Sequence, residues 1–76
     1  MTITSINTLT YDMGNGYFMD IVTTGNQIEE WIYHKNYGLK EFIWGTENIS
    51  LSAFIIISEE NFDDDIANYE MMLQEQ

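Results

Sequence analysis

The chain has 76 residues, a formal net charge of −11, two Lys, no Arg, one His and no Cys. That excludes disulfides and cysteine-based zinc sites, and it excludes nucleic-acid binding through phosphate contacts, which needs Lys and Arg. A length of 76 residues is one domain, 1–76, and a domain this small buries only about 60% of its unfolded-chain surface; the apolar fraction of 45% suits a globular chain and a modest core.

Residues 2–12 read as a strand, dominated by Thr, Ile, Leu and Tyr, with alternation at Leu9, Tyr11 and Met13. Gly14-Asn15-Gly16 signals a hairpin. A two-residue turn at Asn15-Gly16 would set Tyr11 opposite Asp20. A three-residue loop sets Met13 opposite Tyr17, Tyr11 opposite Met19 and Leu9 opposite Ile21, which puts six apolar side chains on one face and is preferred. The second strand then runs from Tyr17 to about Thr24.

Gly25-Asn26 closes the hairpin and is expected to open a short helix from Gln27 to about Tyr37. Asn26 and Glu29 have capping-box spacing. Glu29 and Glu30 suit the first turn, His34 and Lys35 the last, and Gly38 is a C-terminal cap. Ile28, Trp31 and Ile32 form its inward stripe. Leu39 to Trp44 is a third strand. Ile49 to Ser58 fits both a strand's alternation and a helix's spacing. Helix is chosen because Thr46 and Asn48 offer caps and Glu59-Glu60 follow without a turn signal. Asn61 caps a final helix, about Phe62 to Gln74, with an apolar stripe at Phe62, Ile66, Tyr69 and Leu73. The expected fold is α+β: a small three-stranded antiparallel sheet with helices packed on it, in the order ββαβαα.

No catalytic constellation emerges. Ser5, Ser50, Ser52 and Ser58 lack a nucleophile motif, and His34 is read as a helix-terminal residue. Asp63-Asp64-Asp65 does not have the alternating oxygens and central Gly of a calcium loop. On a helix the three point about 100° apart, so the reading is dipole stabilisation and no metal. Gly14-Asn15-Gly16 is followed by neither the helix nor the Lys of a phosphate loop. No cofactor is expected and no enzyme activity. The longest apolar run, Ala53 to Ile57, is far below the roughly 20 residues needed to span a bilayer, so no membrane partner is expected.

The distinctive feature is collective. From Glu41 to Gln76 there are nine carboxylates and no Lys or Arg, whereas ordinary soluble surfaces mix both signs. Glu47, Glu59, Glu60, Asp63, Asp64, Asp65 and Glu70 are the candidate partner-binding residues, with Asp12, Asp20, Glu29 and Glu30 as a second group. Carboxylates spread along two helices can occupy a basic groove in place of DNA and displace the same counterions.

The run from Trp31 to Gly45, WIYHKNYGLKEFIWG, resembles a segment of small proteins from phages and mobile elements of low-GC Gram-positive bacteria. The hairpin before it and the acidic tail after it also fit. In size, acidity and lack of an active site the chain is similar to phage anti-CRISPR proteins, some of which imitate DNA. That resemblance implies a non-enzymatic inhibitor in the bacterial host cytoplasm. Its partner would be a basic nucleic-acid-binding protein such as a CRISPR RNA-guided nuclease, which reads a duplex motif with arginines. The alternative is a small acidic interaction module or homodimer whose charge serves solubility only. Trp44, Tyr33, Ile56 or Met71 would then carry the contact.

Overall fold

The structure, a computed structural model, describes residues 6–75. Its elements are β1 (Ile6–Gly14), β2 (Tyr17–Thr24), β3 (Gln27–His34), β4 (Lys40–Thr46), α1 (Leu51–Glu60) and α2 (Phe62–Gln74). The protein is α+β: four antiparallel strands in the spatial order β1-β2-β3-β4, followed by two helices. The order is therefore ββββαα, and the sheet has four strands where the sequence pattern predicts three.

The difference lies in β3. Of the segment expected as a helix from Gln27 to Tyr37, Gln27 to His34 is a strand whose even positions, Ile28, Glu30, Ile32 and His34, are all buried, and the rest is loop. The apolar stripe expected at Ile28, Trp31 and Ile32 is split, because Trp31 points to the opposite face of the sheet. A carboxylate at position 30 interrupts the apolar alternation in the sequence, and the spacing of Ile28, Trp31 and Ile32 then mimics a helical stripe. The β-propensity of Ile28, Trp31, Ile32 and Tyr33, and the pairing on both edges with β2 and β4, decide the matter. The expected caps fall with the helix. Gly25-Asn26 is a two-residue hairpin turn joining paired Thr24 and Gln27, with Gly25 at φ +60°, and Gly38 lies in the β3–β4 loop.

The first hairpin keeps Tyr11 opposite Met19 and Leu9 opposite Ile21. It does so by a different route from the one expected. Gly14, not Met13, pairs with Tyr17, and the register shifts between Asp12 and Gly14. A bulge at Met13 thus absorbs one residue, and Gly14, Asn15 and Gly16 all have positive φ. Residues 2–5 of the expected first strand lie outside the described residues.

The helices cover one face of the sheet and cross over β3. Helix, not strand, holds for the ambiguous Ile segment. Its N-cap is Ser50, whose hydroxyl accepts from the Ala53 N–H at 3.3 Å, in place of the expected Thr46 or Asn48. Asn61 stands at the start of α2, but its side chain donates back to the Ile57 carbonyl and makes no cap bond there. The core is Tyr17, Met19, Ile21, Ile28, Ile32, Phe54, Phe62 and Tyr69. Phe54 stacks on Trp44 with ring centroids 4.3 Å apart, and Tyr69 donates its hydroxyl to the Leu39 carbonyl at 2.6 Å. Ile66 and Leu73 complete the expected α2 stripe at the rim of the core.

Candidate functional site

Three features stand out on this frame: an acidic helical layer, a buried carboxyl pair beneath it, and an uncovered aromatic face on the other side of the sheet.

In the helical layer, Glu59 and Glu60 end α1, while Asp63 and Asp64 begin α2. Only Asn61 and Phe62 separate the two pairs. All four carboxylates are exposed, so one corner of the molecule gathers them. Glu70, seven residues after Asp63, lies on nearly the same side of α2, about 10 Å further along the axis. Glu70 accepts a hydrogen bond from the Tyr17 hydroxyl at 3.0 Å, which ties it to the core. Burial and then this carboxylate push the Tyr17 phenol up to about 12. Glu47 lies in the β4–α1 loop, at the far end of α1 from the corner. Among the described residues of this layer, from Glu47 to Glu75, no Lys, Arg or His stands beside the carboxylates.

Asp65 departs from the expectation. It is buried, so it cannot belong to a contact surface with Asp63 and Asp64. Helical geometry is the reason: the residue lies three positions after Phe62 and four before Tyr69, on the face that meets the sheet. There it meets Glu30 of β3, which is fully buried. Neither Glu30 oxygen has a hydrogen-bond partner, and Asp65 Oδ2 also lacks one. Ser58 and Trp44 are the remaining polar neighbours, and they bond to each other, Trp44 Nε1 donating to Ser58 Oγ at 3.1 Å. Burial first, and then the neighbouring Asp65, push the Glu30 carboxyl up to about 8. Burial also raises Asp65. Two carboxyls in one apolar site cannot both ionise at modest cost, so the pair retains a proton. The sequence signal was the charge at position 30, between the apolar Ile28 and Ile32 of the inner row.

Of the second group of candidates, Asp20 and Glu30 are also buried. Asp20 is paired, accepting from Lys40 Nζ at 2.7 Å and from the Thr10 hydroxyl at 2.6 Å. Glu29 accepts from Trp31 Nε1 at 3.1 Å, and Asp12 accepts from the Gly14 N–H at 2.9 Å within the bulge.

The face of the sheet away from the helices carries Phe18, Trp31, Tyr33 and Phe42. Phe18 stacks on Tyr33 at 5.2 Å, Trp31 meets Phe42 edge-on at 5.4 Å, and Lys40 lies over the Tyr33 ring. No described element covers them. Trp44, expected as an exposed contact, is instead half-buried against Phe54 on the helical side, whereas Ile56 and Met71 are exposed on the helices.

His34 is a buried structural residue. Its Nε2 lies 2.9 Å from the Asn15 carbonyl and its Nδ1 accepts from the Asn36 N–H at 3.1 Å, which pins the ring between the β1–β2 turn and the β3–β4 loop. Among the described residues no three His, Cys, Asp or Glu side chains gather as a metal shell, and no helix is long and apolar enough to cross a membrane. Compared with protein-family models, with curated proteins and with solved structures, the chain matches none.

Proposed function

We propose that the protein is a non-catalytic inhibitor that docks its acidic helical layer into the nucleic-acid groove of a basic protein. A CRISPR RNA-guided nuclease in a bacterial cytoplasm is the partner class suggested by the resemblance to anti-CRISPR proteins. One observation carries the reading: Glu47, Glu59, Glu60, Asp63, Asp64, Glu70 and Glu75 are all exposed on a layer that offers no described cation to neutralise them. Arginines that read a duplex motif would meet at the α1–α2 corner a dense set of carboxylates, held on two helices that are anchored by Phe54, Phe62 and Tyr69. Glu59, Glu60, Asp63 and Asp64 would make the contact, with Glu70 extending it. Binding driven this way weakens steeply with salt.

The test is a nuclease cleavage assay with the fourfold Glu59→Lys, Glu60→Lys, Asp63→Lys, Asp64→Lys variant. All four positions are exposed, so the fold should persist, as circular dichroism would verify. Loss of inhibition in a folded variant supports the reading, and full inhibition overturns it.

A second reading rests on the uncovered aromatic face. Phe18, Trp31, Tyr33 and Phe42 offer the residue types that dominate protein interfaces. In that case Trp31→Ser and Phe42→Ser would abolish partner binding, salt would matter little, and the acidic layer would serve solubility.

A further inference from the structure

We propose that β1 is a self-association strand that pairs antiparallel with β1 of a second copy, joining two sheets into one of eight strands. The sheet order leaves β1 at an edge, bonded only to β2, and among the described residues nothing pairs with its outer side. The strand is nine residues long and almost wholly exposed. From Ile6 to Tyr11 it has no charge and no proline, and its bulge sits at the turn end, beyond Asp12. Proteins that keep a strand edge single place charges, bulges or short strands there. The other edge shows those devices: β4 has seven residues, begins with Lys40 and Glu41, and carries a register shift between its pairings with Glu30 and Trp31.

Leu9 points to the helical side, in line with Ile21, yet is 44% exposed, because the helices lie chiefly over β3. Ile6 is 68% exposed. A two-fold axis near Leu9 would bring the two Leu9 side chains together and keep both helical layers on the same face of the joined sheet. A second copy fits better than a basic partner, because this edge offers no carboxylate between positions 6 and 11 and a copy brings the same uncharged stretch. The charge of −11 per chain does not forbid it. Five strand spacings of about 4.8 Å separate β3 from its copy, roughly 24 Å, which is about three Debye lengths at physiological salt. Association should therefore strengthen as salt rises, the opposite of the trend for the acidic layer.

Sedimentation velocity over a range of protein and salt concentrations tests this. The expected result is a monomer–dimer equilibrium shifted toward dimer by salt and shifted at least tenfold toward monomer by Leu9→Lys. Thr8→Lys, on the opposite face of the same strand, provides a second variant should Leu9→Lys disturb the fold. Concentration-dependent protection of β1 amides in hydrogen exchange would place the contact. A wild-type chain that stays monomeric throughout, a dimer unaffected by both variants, or a β1 edge that takes up only a strand of another protein overturns the proposal.

Discussion

Glu30 of β3 and Asp65 of α2 bring two carboxyl groups together between sheet and helices, with no described cation beside them. In a chain whose other carboxylates mostly face water, this pair is where charge and packing are coupled.

The pair makes stability depend on pH. Glu30 is raised from 4.5 to about 8 in the folded protein, so the folded state holds a proton that the unfolded chain has released. Its contribution is full below about pH 4.5 and is lost as pH rises through about 8. Thermal melts across this range should show Tm falling toward the alkaline end. Glu30→Gln keeps the shape, can donate to Asp65 and removes the titration. We expect it to flatten the profile and to stabilise the alkaline form by roughly 1–3 kcal/mol. A wild-type Tm that is level across the range would show that no proton is held.

Asp63, Asp64 and Asp65 are adjacent in sequence but differ in exposure, the first two facing water and the third the core. Asp65→Asn should leave partner affinity within about twofold, since the buried side chain cannot reach a partner, while lowering the pH at which the Glu30 site ionises. Asp63→Lys and Asp64→Lys should each weaken binding at low salt and reduce its salt dependence. Equal effects from all three substitutions in a binding titration would count against this division.

Gly16→Ala should destabilise by about 1–3 kcal/mol in urea denaturation. Gly16 has φ +85°, and an added Cβ would lie 2.6 Å from His34 Nε2. The bond between His34 and the Asn15 carbonyl would have to give way. Gly14, also at positive φ but with open space around it, should cost less.

Phe54→Ala should cost about 3–5 kcal/mol, enough to unfold a domain of this size at ambient temperature. Phe54 is fully buried, stacks on Trp44 and fixes α1 to the sheet. Trp fluorescence during denaturation reports the loss directly, and Phe54→Leu should recover much of it.

Where local patterns and tertiary demands agreed, the sequence was legible. The second strand from Tyr17 to Thr24 and the last helix from Phe62 to Gln74 stand where the pattern put them. In each, the side chains that read as apolar stripe or alternation are the ones that pack. The pairing of Tyr11 with Met19 was also legible, because only that register puts the apolar residues on one face. The bulge that achieves it was not, since a two-residue turn with a bulge and a three-residue loop present the same apolar pattern.

The segment from Gln27 to His34 was misread because its inner row contains Glu30 and His34. Periodicity arguments assume that buried positions are apolar, and here a buried carboxyl and a hydrogen-bonded imidazole fill two of four. By itself the sequence determined the α+β class, the helical end of the chain and the one-signed charge of its last third. Only the tertiary structure decided that Gln27 to His34 is a strand held between two others, that Asp65 faces inward while Asp63 and Asp64 face out, and that β1 stands at an edge of the sheet. Each of these depends on what lies across space from a residue, and local spacing holds no record of that.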